Sequence, residues 1–133
     1  MADATIKRLD QMESFYDGLV TRARAELGVK SWGMQVFDLP PGFDRYPNHH
    51  HGEGAGDPGQ EEVYIPLAGS ATLLLNGERH ELEPGVWARV GIDQLRQLVP
   101  GPSGFKYIAL GGTPGRTFDP PAWTELGAPP PSA

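Results

Sequence analysis

The chain has 133 residues, 18 of them glycine and 14 proline, with no cysteine and a formal net charge of −6. That length suits one domain around a single core, and the acidic balance without a basic patch excludes nucleic acid and anionic membranes as expected partners. Disulfides, thiolate ligands and a cysteine nucleophile are excluded. The opening MADATIKRLD lacks a signal-peptide core and no apolar run approaches membrane-spanning length, so a cytoplasmic location is expected.

From Ser14 onward, Phe15, Leu19, Ala23 and Leu27 recur four apart, with Arg22 and Arg24 outside the stripe. This spacing predicts a helix of about three turns, with Ser14 as N-cap and Gly28 just past its end. Trp32 to Leu39 reads as the first clear strand, with Met34, Val36 and Trp32 on one face, and Pro40-Pro41-Gly42 stops it. Phe43 to His51 is a second extended segment, and it carries three consecutive histidines. Gly52 to Gln60 has no apolar side chain larger than alanine and is expected to be an exposed loop.

Glu62 to Leu67 reads as a strand, with a turn around Gly69 and a further strand from Ala71 to Leu75. Asn76-Gly77 is the strongest hairpin signal in the chain. His80 and Leu82 lie on the return strand, and Glu83-Pro84-Gly85 turns again. Val86 to Val90, Gln94 to Val99 and Phe105 to Leu110 complete the strands, with Pro100-Gly101-Pro102 as a break. Beyond Gly111 the chain is proline-rich, with Phe118 and Trp123 as its large apolar anchors, and reads as an extended arm. Roughly eight short strands punctuated by Gly/Pro turns predict an all-β sandwich or barrel.

The chemistry concentrates near the histidines. On an extended segment His49 and His51 point to the same side and His50 to the other. A carboxylate at the start of the following strand, Glu61 or Glu62, meets them if the loop folds back. Two nitrogens and a carboxylate oxygen suit a divalent ion: iron(II), manganese, nickel or zinc. Tyr46, Tyr64 and Tyr107 read as packing residues with a polar tip; Trp32, Met34 and Trp87 read as core or pocket wall, and His80 as exposed. Asp44, Arg45 and Asp57 have no evident partner. Hydrolase, Walker and dinucleotide fingerprints are absent.

Gly42, His49-x-His51, Glu62 and Gly69, with VYIPLA between the last two, resemble the first motif of the cupin superfamily. The resemblance covers approximately residues 34 to 111 and selects Glu62 over Glu61. It implies a double-stranded β-helix, or small jelly-roll barrel, to which the spacing from Ser14 adds a short N-terminal helix. The segments LPPG, QEEVY and ALGGTPG and the WTELGAP tail are similar to those of small bacterial cupins of the cupin-2 type. Two departures stand out. The ten residues between His51 and Glu62 make a longer loop than the family's usual one, which loop-closure entropy tolerates. Where the second motif carries its histidine, counting from Gly85 gives Arg96, a cation that ligates no metal. Arg96 can pair with Glu62 in a metal-free site, or grip a substrate carboxylate beside a metal; Gln94, two residues away, offers a neutral oxygen.

The organisation expected is a segment with a short helix over 1–33, a cupin barrel over 34–111 and an arm over 112–133. The expected function is a metal-binding cupin, with His49, His51 and Glu62 as ligands and Arg96 and Gln94 orienting a small anionic organic molecule. Oxygenase and isomerase chemistry fit equally. The alternatives are a non-catalytic ligand-binding cupin and a structural dimer with a degenerate site. A homodimer follows from the resemblance.

Overall fold

The computed structural model describes residues 2–54 and 59–131. Strands β1 (Ser14–Phe15), β2 (Val20–Thr21), β3 (Gly33–Leu39), β4 (Glu61–Leu75), β5 (Glu78–Leu82), β6 (Ala88–Val90) and β7 (Arg96–Gly112) form one antiparallel sheet. Its order is β1-β2-β3-β7-β4-β5, with β6 also on β4. β7 pairs with β4 from Arg96–Leu75 to Gly112–Glu61. Along the second half of β7, Phe105 to Gly111 pairs with β3 as well.

The two long strands each replace a pair predicted from the sequence. Gly69 and Pro100-Gly101-Pro102 do not end strands; the ladder continues past them through register shifts between Pro66 and Ala68 and between Gly69 and Ala71. Such bulges bend a ribbon without breaking it. Gly69 has φ +73°, and a Cβ there would collide with the Gly104 carbonyl oxygen of the facing strand. Only glycine fits the bend. The Asn76-Gly77 turn forms as predicted, both residues being left-handed at φ 53° and 81°, the backbone of a type I′ hairpin.

The helix expected from Ser14 does not span the predicted residues. Tyr16, Asp17 and Gly18 all have positive φ and close the β1–β2 hairpin, so the four-residue spacing of Phe15 and Leu19 is not helical. Helix α1 is confined to Ala23–Leu27, ended by left-handed Gly28 as expected. Arg22 and Arg24, predicted outside the apolar stripe, are buried. Their guanidiniums are taken up by the C-terminal segment. Arg22 donates to the carbonyls of Trp123 (2.9 Å) and Ala128 (2.7 Å) and pairs with Glu13 at 3.0 Å. Arg24 bonds Val29 O and Glu125, each at 2.9 Å.

The core joins Leu39, Tyr64, Leu73, Leu82, Val90, Leu98, Phe105 and Tyr107. On β3, Gly33, Gln35, Phe37 and Leu39 line the interior chamber together with Met34, expected in the core or a pocket wall, and Val36 is buried. Trp32 and Trp87, expected in the core or a pocket wall, are 48 % and 67 % exposed. No helix among the described residues is long and apolar enough to cross a membrane.

Candidate metal centre and interior chamber

The histidine segment reaches the interior by lying along the edge of β7. His49 N donates to Arg96 O (3.0 Å), Arg96 N to His49 O (2.8 Å), and His51 N to Ile92 O (2.8 Å). Anchoring alternate residues sends both imidazoles to one side, with ring centroids 5.2 Å apart and planes near perpendicular. Glu62, second residue of β4, faces them. Glu61 points away and pairs with Arg89. Ligand atoms of His49, His51 and Glu62 all lie within 4.8 Å of one another. His50 accepts a bond from Gly52 N at 2.9 Å and stands outside this group. In the loop expected to be exposed, Glu53 and Gly54 are exposed, but Gly52 is buried and Gly59 and Gln60 are half-buried; residues 55–58, with Asp57, lie outside the described residues.

Glu62 is the hub. Its Oε1 accepts from Arg96 Nη1 (2.6 Å), His51 Nε2 (3.0 Å) and Tyr64 OH (3.1 Å). Burial pushes the carboxyl up, but the His51 hydrogen bond and the charges of His51 and Arg96 outweigh it, with Tyr64 adding to them. The net direction is below the usual carboxylate range, and Glu62 is ionised. Tyr64 spends its one proton on Glu62, so Tyr46 OH, 3.4 Å away, donates to Tyr64. Burial, with the Glu62 charge behind it, pushes Tyr46 up to about 12, and burial likewise raises Tyr64 and Tyr107. All three phenols stay protonated.

His49 Nδ1 lies 3.0 Å from the Pro47 carbonyl oxygen, which can only accept. The proton therefore sits on Nδ1 and Nε2 presents a lone pair, the tautomer a metal ligand requires. Burial is the main cause that lowers the His49 pKa. An imidazole lowered in the fold stabilises it fully above the unfolded value, about 6.5, and loses that contribution as pH falls through the folded value. Glu62, also lowered, contributes above about 4.5 and loses it in acid. Both signs agree. The urea midpoint is expected to fall between pH 7 and 5, and more shallowly in His49→Asn, which keeps a donor for Pro47 O; equal slopes in the two proteins would contradict this.

The donor set fits a divalent ion: two imidazoles on one face, one with its tautomer fixed, and a carboxylate whose Oε2 accepts no bond among the described residues. To act as a ligand His51 gives up its Nε2 proton. Arg96 opposes the fit, sharing Oε1 of the same carboxylate. Its guanidinium is 0 % exposed, with Nε on Gln94 O (2.8 Å) and Nη2 on Gly91 O (2.6 Å). It lies outside the chamber lining, so the expectation of an anionic substrate loses the residue on which it rested. Gln94 contributes its backbone carbonyl; its side-chain amide donates to Leu95 O.

A chamber of about 960 Å³ opens beside His49, His51 and Glu62. Its walls are largely aromatic and aliphatic: Phe37 and Tyr107 from β3 and β7, Phe15 and Leu19 from the β1–β2 hairpin, Phe43 from the segment after β3, and Phe118 and Trp123 from the C-terminal segment. Gly33, Ala109 and Gly111 project little into it, which leaves the volume open. Gln35 and Gln60 also line it. Neither amide is singled out from the sequence; for Gln35 the alternation Gly33, Gln35, Phe37, Leu39 was the available signal.

The antiparallel sheet is that of a cupin double-stranded β-helix, and the chain has that fold. No family model and no curated protein matches the sequence. Among solved structures the chain is similar to a cupin protein from Bacteroides fragilis: 20 % identity, TM-score 0.66, covering 91 % of this chain and 93 % of that one. It is also similar to a sugar phosphate isomerase from a cupin superfamily of Silicibacter pomeroyi: 22 % identity, TM-score 0.65, covering 80 % and 74 %. A cupin from Methanocaldococcus jannaschii, described as a double-stranded β-helix, shares 17 % identity at TM-score 0.53, over 64 % and 72 % of the two chains.

Proposed function

We propose that the protein is a metal-dependent cupin that acts on a small organic molecule held in the interior chamber. The observation that carries this reading is the convergence of His49, His51 and Glu62 at the polar end of an otherwise apolar chamber. A divalent ion there supplies Lewis acidity and open coordination positions; oxygenase and isomerase chemistry both accord with it. The chain's own residues do the rest. The aromatic walls bind and exclude water, Tyr46 and Tyr64 hold protons beside the Glu62 carboxylate, and Arg96 fixes that carboxylate through Oε1. A homodimer and a cytoplasmic location stay with this reading as expectations.

The test is metal analysis of protein purified without an affinity tag. About one divalent ion per chain, lost in the His49→Ala/His51→Ala double variant, is the expected result. Less than about a tenth of an ion per chain, with no thermal stabilisation by iron, manganese, nickel or zinc, would sink the proposal. One observation favours the second reading, a metal-free ligand-binding cupin: Glu62 Oε1 is already saturated by Arg96, His51 and Tyr64.

A further inference from the structure

Arg8, Arg22, Arg24, Arg89 and Arg96 each pair with a carboxylate. The Arg45 side chain pairs with none and makes no hydrogen bond among the described residues, yet it lines the chamber. Its guanidinium carbon lies over the Phe43 ring, 5.4 Å from the centroid. That ring, also in the chamber wall, braces the cation from one face. The in-plane N–H donors stay open, and they form the fork that grips a carboxylate through two bonds. Arg45 is exposed, so it stands at the chamber mouth, where a bound molecule reaches it. Arg116 is exposed too and its side chain has no partner among the described residues, but it lies outside the lining.

Its place in the chain says what it can hold. Phe43, Arg45, Pro47, His49 and His51 alternate along the segment after β3 and all line the chamber, with Tyr46 also reaching it. One stretch of backbone thus carries a cation at the rim and the candidate ligands farther in. Arg45 and His49 are four residues apart, no more than about 14 Å of backbone. The apolar walls, Phe15, Phe37, Phe118 and Trp123 among them, bind rings without directing them; a placed charge fixes the orientation. Arg96 cannot supply that charge, because its guanidinium is 0 % exposed and engaged by Glu62, Gln94 and Gly91. Asp17, exposed in the β1–β2 turn, also lines the chamber, and would favour a cationic end instead.

From the unpaired arginine at the rim and the apolar walls we infer that the chamber binds an organic carboxylate with an aromatic or alicyclic body. The carboxylate pairs with Arg45 at the mouth, the body fills the apolar interior, and the uncharged end lies at the His49–Glu62 centre. This rests on the proposed use of that centre for the reacting end, but the Arg45 contact is independent of any metal.

The test uses biphenyl-4-carboxylate as probe, with biphenyl-4-carboxamide as the uncharged match and 4-(aminomethyl)biphenyl as the cationic one. Binding is followed by calorimetry in EDTA and again with manganese(II). Wild-type protein is expected to bind the carboxylate about fivefold more tightly than the carboxamide, the upper end of what an exposed ion pair contributes, and the cation most weakly. In Arg45→Met the carboxylate and carboxamide become equal while the carboxamide keeps its wild-type affinity. Arg45→Lys retains part of the preference, having the charge without the fork. Arg116→Met, the same change of net charge outside the chamber, retains all of it. The inference is overturned by equal binding of the two compounds to wild type, by tighter binding of the cation, or by a preference lost in Arg116→Met. A parallel loss of both compounds in Arg45→Met also overturns it, making the arginine a piece of wall. So does a preference that needs manganese and survives Arg45→Met, which would put the carboxylate on the ion and support the metal reading. An Arg45-dependent preference in EDTA, with no ion found by metal analysis, overturns the metal reading alone. Stoichiometric metal with no binding of the probes overturns this inference alone.

Discussion

Arg96→Met is expected to raise affinity for manganese(II) by about a hundredfold while lowering the stability of the metal-free protein by about 3 kcal/mol. The two effects have one origin. The guanidinium donates to Glu62 Oε1 at 2.6 Å and is fully buried. Unit charges about 4 Å apart interact by roughly 4 kcal/mol at the effective dielectric of a protein surface, and a hundredfold in affinity, about 2.7 kcal/mol, uses only part of that. Without Arg96 a buried carboxylate loses its counter-charge, and the carbonyls of Gly91 and Gln94 lose their donors. Methionine keeps the length of the side chain and so limits collapse. Titration calorimetry reads the affinity and urea denaturation the stability. Because the ion replaces the missing positive charge, the melting temperature of the variant should rise more steeply with added manganese than that of wild type. Unchanged affinity would mean that Glu62 is not a ligand.

Arg22→Met is the second large effect, a loss of about 3–4 kcal/mol in urea denaturation. Arg22 is 2 % exposed, spans Glu13, Trp123 and Ala128, and stacks its guanidinium on the Phe15 ring at 4.6 Å. Removing it leaves two carbonyls without donors and frees the segment that carries Phe118 and Trp123 into the chamber wall. Limited proteolysis should then cut after residue 113 at protease levels that spare wild type. Arg8→Met is the control. Its ion pair with Asp10 is exposed at both ends and screened by solvent, so the denaturation curve should not move. If Arg22→Met also leaves it unmoved, the C-terminal segment is not held by this residue.

The parts legible in the sequence were those encoded by short spacings. The alternation of His49 and His51 depends on local geometry that strands impose everywhere. The choice of Glu62 came from the resemblance to the cupin motif through its spacing to Gly69, and the structure brings the three side chains together. Asn76-Gly77 is legible for the same reason. The misread parts depended on partners distant in sequence. Phe15, Leu19, Ala23 and Leu27 satisfy a helical period, but Tyr16 to Gly18 turn a hairpin whose second strand pairs Val20 with Phe37 of β3. Arg22 looked like a surface residue because its acceptors, Trp123 O and Ala128 O, lie about a hundred positions later. Proline and glycine at 100–102 suggested a break, since neither favours a strand interior, yet β7 continues through them. Trp32 and Trp87 looked like core or pocket wall by residue type alone, and the structure leaves both exposed, whereas Met34, read the same way, does line the chamber.

β7 lies between β3 and β4 in the sheet but is the last strand in the chain. While the polypeptide is being synthesised, β3 and β4 are complete long before their shared neighbour exists, and each presents an open edge of the kind that invites pairing with another chain. His49 shares this dependence, since the backbone that anchors it belongs to Arg96. The order of events follows from that arrangement. The candidate ligands His49, His51 and Glu62, the chamber floor and the central ladder lack their framework until residues 96–112 are in place, and the bonds from Arg22 to Trp123 and Ala128 need the segment beyond them. Nascent chains halted before this point hold the histidines and Glu62 but no site, and their unpaired edges make them the aggregation-prone stage of this protein's biogenesis.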